Sequence, residues 1–402
     1  MKLLFADSFS EPNIAALTEL GYECRLEPAL SADTLPEAIG DADVLIVRST
    51  KVTADTLSSA TQLAMVLRAG AGTNTIDKLA AAKRGIYVCN VPGTSNLAVA
   101  ELAMGLMLAI DRRIPDAVAD LRASTWDKAT YSKADGMAGK RLGIVGLGAI
   151  GLAVATRATA FDVDVVAVDK SDRSDTARQR AHAAGVTLVA DLETLLKTSD
   201  VVSLHVPLND ETRGLVDADF LAMCRDGAWI INTSRGEIVD ELALIGALDQ
   251  RGMWAGLDVF VDEPGALKGT FSSVLAQHPR VYGTHHIGAS TTQAQLATAQ
   301  GVIDVLTAYS HGEIRNCVNL ETQPLGSSAL VIRHKDRVGV LSSVFLELKE
   351  AGISIKQMEN RIFQGNEAAV ATIRVSKAVS TETADRLRSL EHVLTVMIEE
   401  NI

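Results

Sequence analysis

From its first residues the chain alternates short apolar, β-branched runs with amphipathic stretches. The runs "LLFAD", "VLIVRS", "MVLRAG" and "IYVCNV" are separated by segments such as "EPNIAALTELG", whose apolar positions recur at helical spacing. Short, almost purely apolar runs are what strands buried on both faces require, and their alternation with helices predicts βαβ units and a parallel sheet. A long helical pattern begins near Ser95 and continues through "ELAMGLMLAIDRRIPDAVADLRA", interrupted at Pro115; such a helix can cross between lobes. A second α/β series follows, with strands expected at "RLGIVG", "VDVVAVD", "VVSLHVP", "WIINTS", "WAGLDVF" and "VYGTHH". A last helix, Thr292 to His311, is expected to return to the first lobe.

Beyond Cys317 the pattern changes. The polar stretch "NLETQPLGSSA", with Pro324 and Gly326, reads as a linker. The remainder is too short for another doubly wound lobe. It offers a strand "ALVIRH", a helix "VGVLSSVFLELKEAG", strands "ISIKQMENRIF" and "AAVATIRV", a helix "STETADRLRSL" and a strand "VLTVMIEE". That βαββαβ order is the ferredoxin-like arrangement. The expected architecture is therefore α/β: two doubly wound parallel-sheet lobes of Rossmann or flavodoxin type plus a ferredoxin-like C-terminal domain.

Composition narrows the chemistry. With 402 residues, 47% of them hydrophobic, the chain can fill more than one core. Fifty acidic residues against 38 basic ones give a net charge of -12, so the electrostatic footprint of a nucleic-acid or anionic-membrane binder is missing. An anionic ligand has to be caught by local cations. Cys24, Cys89, Cys224 and Cys317 stand far apart with no C-x-x-C spacing, which argues for buried free thiols in a reducing cytosol rather than a disulfide framework or structural zinc. The start "MKLLFADSFSEPN" is too soon interrupted for a signal peptide. The longest uncharged apolar stretch, Leu102 to Ile110, is about half a membrane span. A soluble, cytoplasmic protein is expected.

Five strand ends carry the clearest chemistry. "RLGIVGLGAIG" places Gly146, Gly148 and Gly151 in G-x-G-x-x-G spacing after an apolar strand and at the start of a helix, and the next strand, "VDVVAVD", closes on Asp169. Gly146 permits the tight turn, Gly148 lets backbone approach a pyrophosphate at the helix N-terminus, and Gly151 allows close helix packing. Asp169 can accept the adenosine ribose hydroxyls and repel a 2′-phosphate, favouring NAD over NADP. In "WIINTSRGEIVDELAL", Arg235 ends a buried strand before a glycine, where a guanidinium can grip a carboxylate bidentately. "GLDVFVDEP" supplies two carboxylates, Asp258 and Glu263, and "GTHHIG" two histidines. A carboxylate bonded to one imidazole nitrogen fixes the tautomer and raises the basicity of the other nitrogen, which is equipment for moving a hydroxyl proton. Adjacent strand residues point to opposite sides, so one of His285 and His286 is expected in the cleft and the other in packing. No third ligand lies at metal spacing, and no metal site is expected.

Together these stretches resemble the D-isomer-specific 2-hydroxyacid dehydrogenases, most specifically in "NTSRGEIVDE", "GLDVFVDEP" and "HIGAST". The resemblance implies that Arg235 binds substrate, that Glu263 orients the general acid/base, and that His286, the histidine preceding Ile-Gly, is that acid/base. It also places Ala149, Ile150, Asp169, Thr233, Ser234 and Asp258 with the glycines against NAD. The implied reaction is hydride transfer from C2 of a 2-hydroxyacid. The implied domains are a substrate lobe of residues 1–94 and 289–322, an NAD lobe of 95–288, a linker of 323–328 and a regulatory domain of 329–402. "VRSTKVTADTL", "RRIPDA" and "STWDK" resemble the branch that oxidises 3-phosphoglycerate, the first step of serine biosynthesis, and Arg48, Ser49, Lys51 and Lys128 are then the expected phosphate contacts.

With its C-terminal segment the chain is similar to members carrying an ACT domain, which implies a homodimer or homotetramer and an amino-acid effector. His334 matches the serine-sensing pattern, whereas Asp336 and Ser354 replace asparagines of serine-inhibited relatives, so weak or absent serine inhibition is expected. Two rivals remain at this stage: a reductase for hydroxypyruvate, glyoxylate or another 2-oxoacid, and a non-enzymatic NAD-sensing binding protein on the same fold.

Overall fold

A computed structural model of the chain describes residues 1–264, 268–321, 326 and 328–400. Two compact units divide it at Leu320.

The N-terminal unit contains two parallel sheets. The first has β1 (Lys2–Phe5), β2 (Glu23–Leu26), β3 (Val44–Val47), β4 (Met65–Arg68) and β5 (Tyr87–Asn90), in the order β2-β1-β3-β4-β5. The second has β6 (Arg141–Val145), β7 (Asp164–Val168), β8 (Val186–Val189), β9 (Val201–Leu204), β10 (Trp229–Asn232), β11 (Trp254–Leu257) and β12 (Val281–Gly283), in the order β12-β11-β10-β9-β6-β7-β8. Central strands such as β3, β9 and β10 are buried on both faces, which explains their unbroken apolar runs. The order reverses at β1/β3 in one sheet and at β6/β9 in the other. Ligands of doubly wound sheets bind outside the strand C-termini at such switch points.

Two long helices tie the sheets into one unit. Helix Asn96–Arg112 buries Ala100, Ala103, Met107 and Ile110 against the second sheet. It stops at Arg113, which adopts the left-handed conformation with φ 49°. Pro115 falls in the first turn of the next helix, Ile114–Arg122, where a missing N–H costs no helical hydrogen bond. Helix Thr292–Ser310 returns to the first sheet, where Val302, Val305 and Leu306 pack beside Leu3 and Phe5.

The C-terminal unit is a four-stranded antiparallel sheet in the order β14-β15-β13-β16, with β13 (Ser328–Lys335), β14 (Ile355–Ile362), β15 (Ala368–Val375) and β16 (Val393–Glu400). Helices Val340–Glu350 and Thr381–Ser389 complete a βαββαβ fold, and Val344, Leu348, Ala384 and Leu387 cover Leu330, Ile332, Ala371 and Ile373. β13 begins at Ser328, inside the span expected as linker, and residues 323–325 and 327 of that span lie outside the described residues.

Candidate active site

Gly146 has φ 99°, and a Cβ there would meet the His205 carbonyl oxygen at 2.4 Å. The turn leaving β6 thus lies against the end of β9, at the switch point. A Cβ on Gly151 would sit 2.3 Å from the Gly146 carbonyl oxygen, so glycine is needed for helix Ala149–Thr159 to start this close to the strand. A Cβ on Gly148 would meet nothing within 4 Å among the described residues. Gly148 and Ala149 are exposed at the helix N-terminus, with Ile150 half-buried behind them, and a dinucleotide pyrophosphate fits the open space in front of those amides. Thr233, just past β10, has its hydroxyl buried with no partner among the described residues, a group suited to a bound cofactor. Ser234 donates its hydroxyl to the Leu204 carbonyl at 2.7 Å.

Asp169 follows β7 but is not alone there. Arg178 Nε donates to both its oxygens at 3.2 and 3.3 Å, and Arg173 Nε lies 3.5 Å away.

Arg235 is held at the end of β10 by its neighbours. Asn232 Nδ2 donates to the Arg235 carbonyl at 2.8 Å, and Asn232 Oδ1 accepts from the Ser234 amide at 2.9 Å. The next residue must be glycine, because a Cβ on Gly236 would lie 2.2 Å from the Phe260 backbone. The guanidinium reaches across to the loop after β4, where a Cβ on Gly72 would meet Arg235 Nη2 at 2.3 Å. Arg235 therefore stands between the two sheets.

The two histidines lie beyond β12, which ends at Gly283, and the alternation expected of strand neighbours does not apply to them. Both are exposed, so the packing role expected for His285 is corrected. Asp258, just past β11 and only 1% exposed, organises this turn: its Oδ1 accepts from Thr284 Oγ1 at 2.6 Å and the Ile287 amide at 2.8 Å, and its Oδ2 from the Gly288 amide at 2.8 Å. The His286 amide donates to the Asp258 carbonyl at 2.8 Å. Bent by these bonds, His286 takes φ 53°, a region histidine enters more readily than most residues. Its Nδ1 lies 2.6 Å from Glu263 Oε2, while Glu263 Oε1 accepts the Phe260 amide at 2.9 Å. Burial raises the Glu263 pKa, but the bonds from His286 and Phe260, aided by Arg235, outweigh it and hold the carboxyl below the ordinary glutamate range. An ionised Glu263 fixes the proton on Nδ1 and leaves Nε2 able to exchange a proton with a ligand.

The first lobe adds cations. Arg48 lines a cavity with Asp7, Arg68 and Ser95. Asp7 accepts from the amides of Arg48, Ser49 and Thr50 at 2.6, 3.2 and 3.2 Å and from Ser49 Oγ at 2.7 Å, so one carboxylate shapes the loop that presents Arg48. Lys51 and Lys128 are exposed and do not line this cavity. Arg68, at the end of β4, was not singled out by the sequence reading. Its Nε donates to the Arg48 carbonyl at 3.2 Å. Burial, with Arg235 and Arg48 close by, pushes its pKa down to about 10. The signal was available, since "LRAG" sets an arginine at a strand end two residues before a glycine, where "SRG" sets Arg235 directly before one.

Comparison with known proteins agrees with this geometry. Residues 104–288 match the model of the D-isomer specific 2-hydroxyacid dehydrogenase NAD-binding domain. The chain is 36% identical to D-3-phosphoglycerate dehydrogenase of Methanocaldococcus jannaschii over 94% of its own length and 70% of that protein's. It is 38% identical to the enzyme of the same name from Mycobacterium tuberculosis, over 79% of this chain and 58% of the relative. It is also 42% identical to hydroxypyruvate reductase of Thermotoga maritima, over 66% of this chain and 84% of that one. Among solved structures, a glyoxylate reductase from Paecilomyes thermophila superposes with TM-score 0.68 at 28% identity, covering 79% of this chain and 98% of that one. The D-lactate dehydrogenase of Escherichia coli does so at TM-score 0.67 and 28% identity, covering 79% and 100%. The chain belongs to the D-isomer specific 2-hydroxyacid dehydrogenases, enzymes that use NAD.

Proposed function

We propose that the chain oxidises 3-phospho-D-glycerate to 3-phosphooxypyruvate, with Arg235, Glu263 and His286 as its catalytic set. The observation that carries the substrate is that Arg48 and Arg68 line one cavity with Asp7, while the Arg235 guanidinium reaches the loop just after Arg68. Three guanidiniums suit a ligand bearing both a carboxylate and a phosphate dianion. In this reading Arg235 holds the carboxylate and the oxygen on C2, and Arg48 and Arg68 hold the phosphate. His286 Nε2 takes the hydroxyl proton, and Glu263 stabilises the imidazolium that results. Bound NAD supplies the hydride acceptor. Asp258 acts through the backbone it holds, as a positioning residue for His286.

Hydroxypyruvate or glyoxylate reduction is the second reading. It is favoured by the exposed Lys51 and Lys128, which lie outside the cavity, and by the hydroxypyruvate reductase relative. Steady-state kinetics with NAD and NADP on 3-phosphoglycerate, D-glycerate, hydroxypyruvate and glyoxylate separate the readings. The proposal expects the highest kcat/KM with 3-phosphoglycerate and NAD. Preference for an unphosphorylated acid assigns the chain to the reductases, and preference for NADP removes the role given to Asp169.

The C-terminal unit we read as an ACT-like regulatory module, on the strength of its βαββαβ topology. His334 is buried there, with Nδ1 2.8 Å from the Lys335 carbonyl and Nε2 3.2 Å from Asn360 Oδ1. Small residues Ala369 and Ala371 on the intervening β15 let His334 and Asn360 meet. We also read the chain as a homo-oligomer, because helix Ile114–Arg122 buries none of its residues and leaves Ile114, Val118 and Leu121 exposed, with Trp126 beyond it; such a face suits a second copy.

A further inference from the structure

Cys89 and Cys317, distant in sequence, meet on the first lobe. Cys89 lies in β5, at one edge of the first sheet, and faces Cys317 in an isolated antiparallel bridge. The Asn90 amide donates to the Asn316 carbonyl at 3.2 Å and the Val318 amide to the Val88 carbonyl at 2.8 Å. The hydrogen bonds thus flank the cysteines, which form a non-hydrogen-bonded pair. In such a pair the Cα atoms stand about 4.5 Å apart and the side chains lie close on one face. A disulfide spans Cα separations of roughly 4.4–6.8 Å, so this pair sits at the short end of that range. Both side chains belong to one apolar cluster with Leu3, Val302 and Leu306. Cys89 is fully buried and Cys317 half-buried, its thiol 3.2 Å from Asn319 Oδ1. The Asn319 side chain also clamps β5, accepting from the Val88 amide and donating to the Ile86 carbonyl, both at 2.8 Å. The C-terminal unit begins at the next residue, Leu320.

We propose that Cys89 and Cys317 form a reversible disulfide, a redox-sensitive stitch that fastens the end of the N-terminal unit to the edge of its first sheet. The oxidant is a small disulfide of the glutathione class. Cys317 loses its proton and attacks one sulfur of that molecule, forming a mixed disulfide and releasing one thiol. Cys89 then loses its proton and attacks the Cys317 sulfur, releasing the second thiol. Two protein thiols are oxidised and one small disulfide is reduced to two thiols. Burial, with Cys317 alongside, pushes the Cys89 thiol up to about 12. The more accessible Cys317 is therefore the attacking residue, and the closing step accelerates as pH rises. Cys317 leaves one side of the bond half-exposed, and exposed disulfides are readily reduced, which makes the stitch reversible.

The test incubates the full chain with oxidised glutathione at mildly alkaline pH, alkylates the remaining thiols and maps peptides by mass without reduction. The expected product has lost two hydrogens and links the Cys89 and Cys317 peptides. Dithiothreitol reverses it, and the melting midpoint of the oxidised N-terminal unit rises by roughly 5 °C or more. Cys317→Ser abolishes the product, and Cys89→Ala leaves a glutathionyl group on Cys317. A glutathionyl group that persists on Cys317 of the unmodified chain, a link through Cys24 or Cys224, or thiols that stay unreacted would each overturn the proposal.

Discussion

His286 owes its place to backbone rather than to its own strand. Asp258 bends residues 284–288 by accepting four of their donors, three on its carboxylate and the His286 amide on its carbonyl, and Glu263 then aligns the ring through Nδ1. Replacing His286 with Asn is expected to lower kcat by about 10²- to 10⁴-fold, the usual worth of a positioned acid/base, while NAD affinity, measured by fluorescence titration, stays nearly unchanged. His285→Asn is expected to be mild; equal losses in the two variants would reverse the assignment. The residue types of this site were legible in the sequence because each stands at or just past a predicted strand end, where ligands of parallel sheets bind. The choice between the histidines was not legible from periodicity, since a turn bent by a distant carboxylate carries no two-residue repeat. Arg68 was missed for another reason: the role proposed for it comes from its place beside Arg48 and near the loop that Arg235 reaches, a neighbourhood made by tertiary structure alone.

At the level of elements, the loop after β3 is the least self-sufficient part of the site. Beyond an isolated bridge of Val52 to Ile76 it has no regular structure of its own, and its first residues, Arg48 to Thr50, hang on Asp7. Burial opposes the ionisation of Asp7, but bonds from Arg48, Ser49 and Thr50 overcome it and hold the carboxyl below the ordinary aspartate range. A depressed carboxylate contributes stability that is present above its unfolded pKa and is lost as pH falls through its folded pKa. Asp7→Asn is therefore expected to raise the KM for the phosphorylated substrate more than it lowers kcat, and to flatten the acid-side fall in melting temperature. Unchanged KM and an unchanged acid profile would show that the loop stands without Asp7. Most elements were legible from their apolar runs. β2 and β8 were not: each lies at a sheet edge, and β2, "ECRL", is largely exposed. Edge strands need no continuous apolar run, so periodicity has little to report there.

Over the whole molecule, the residues proposed as catalytic all come from the N-terminal unit, whereas the C-terminal unit has its own core of Leu330, Ile332, Val344 and Leu387. A chain ending at Gly326 is expected to keep turnover within a few-fold and to form a smaller oligomer on sedimentation. L-serine is expected to inhibit the full chain weakly or not at all, because the charge of Asp336 opposes the effector's carboxylate and Ser354 is too short to replace an amide. Strong inhibition that disappears on truncation would show both residues to be tolerated. The central claim is that a cluster of arginines selects a phosphorylated 2-hydroxyacid, despite a net charge of -12 that repels anions at long range. Steady-state kinetics of Arg48→Gln and Arg68→Gln on 3-phosphoglycerate and on D-glycerate test it most directly. Loss of a charge-assisted contact to the phosphate should cut kcat/KM for 3-phosphoglycerate by about 10- to 100-fold and leave D-glycerate within a few-fold. An equal loss on both substrates would contradict the account, assigning these arginines to the carboxylate that the two acids share.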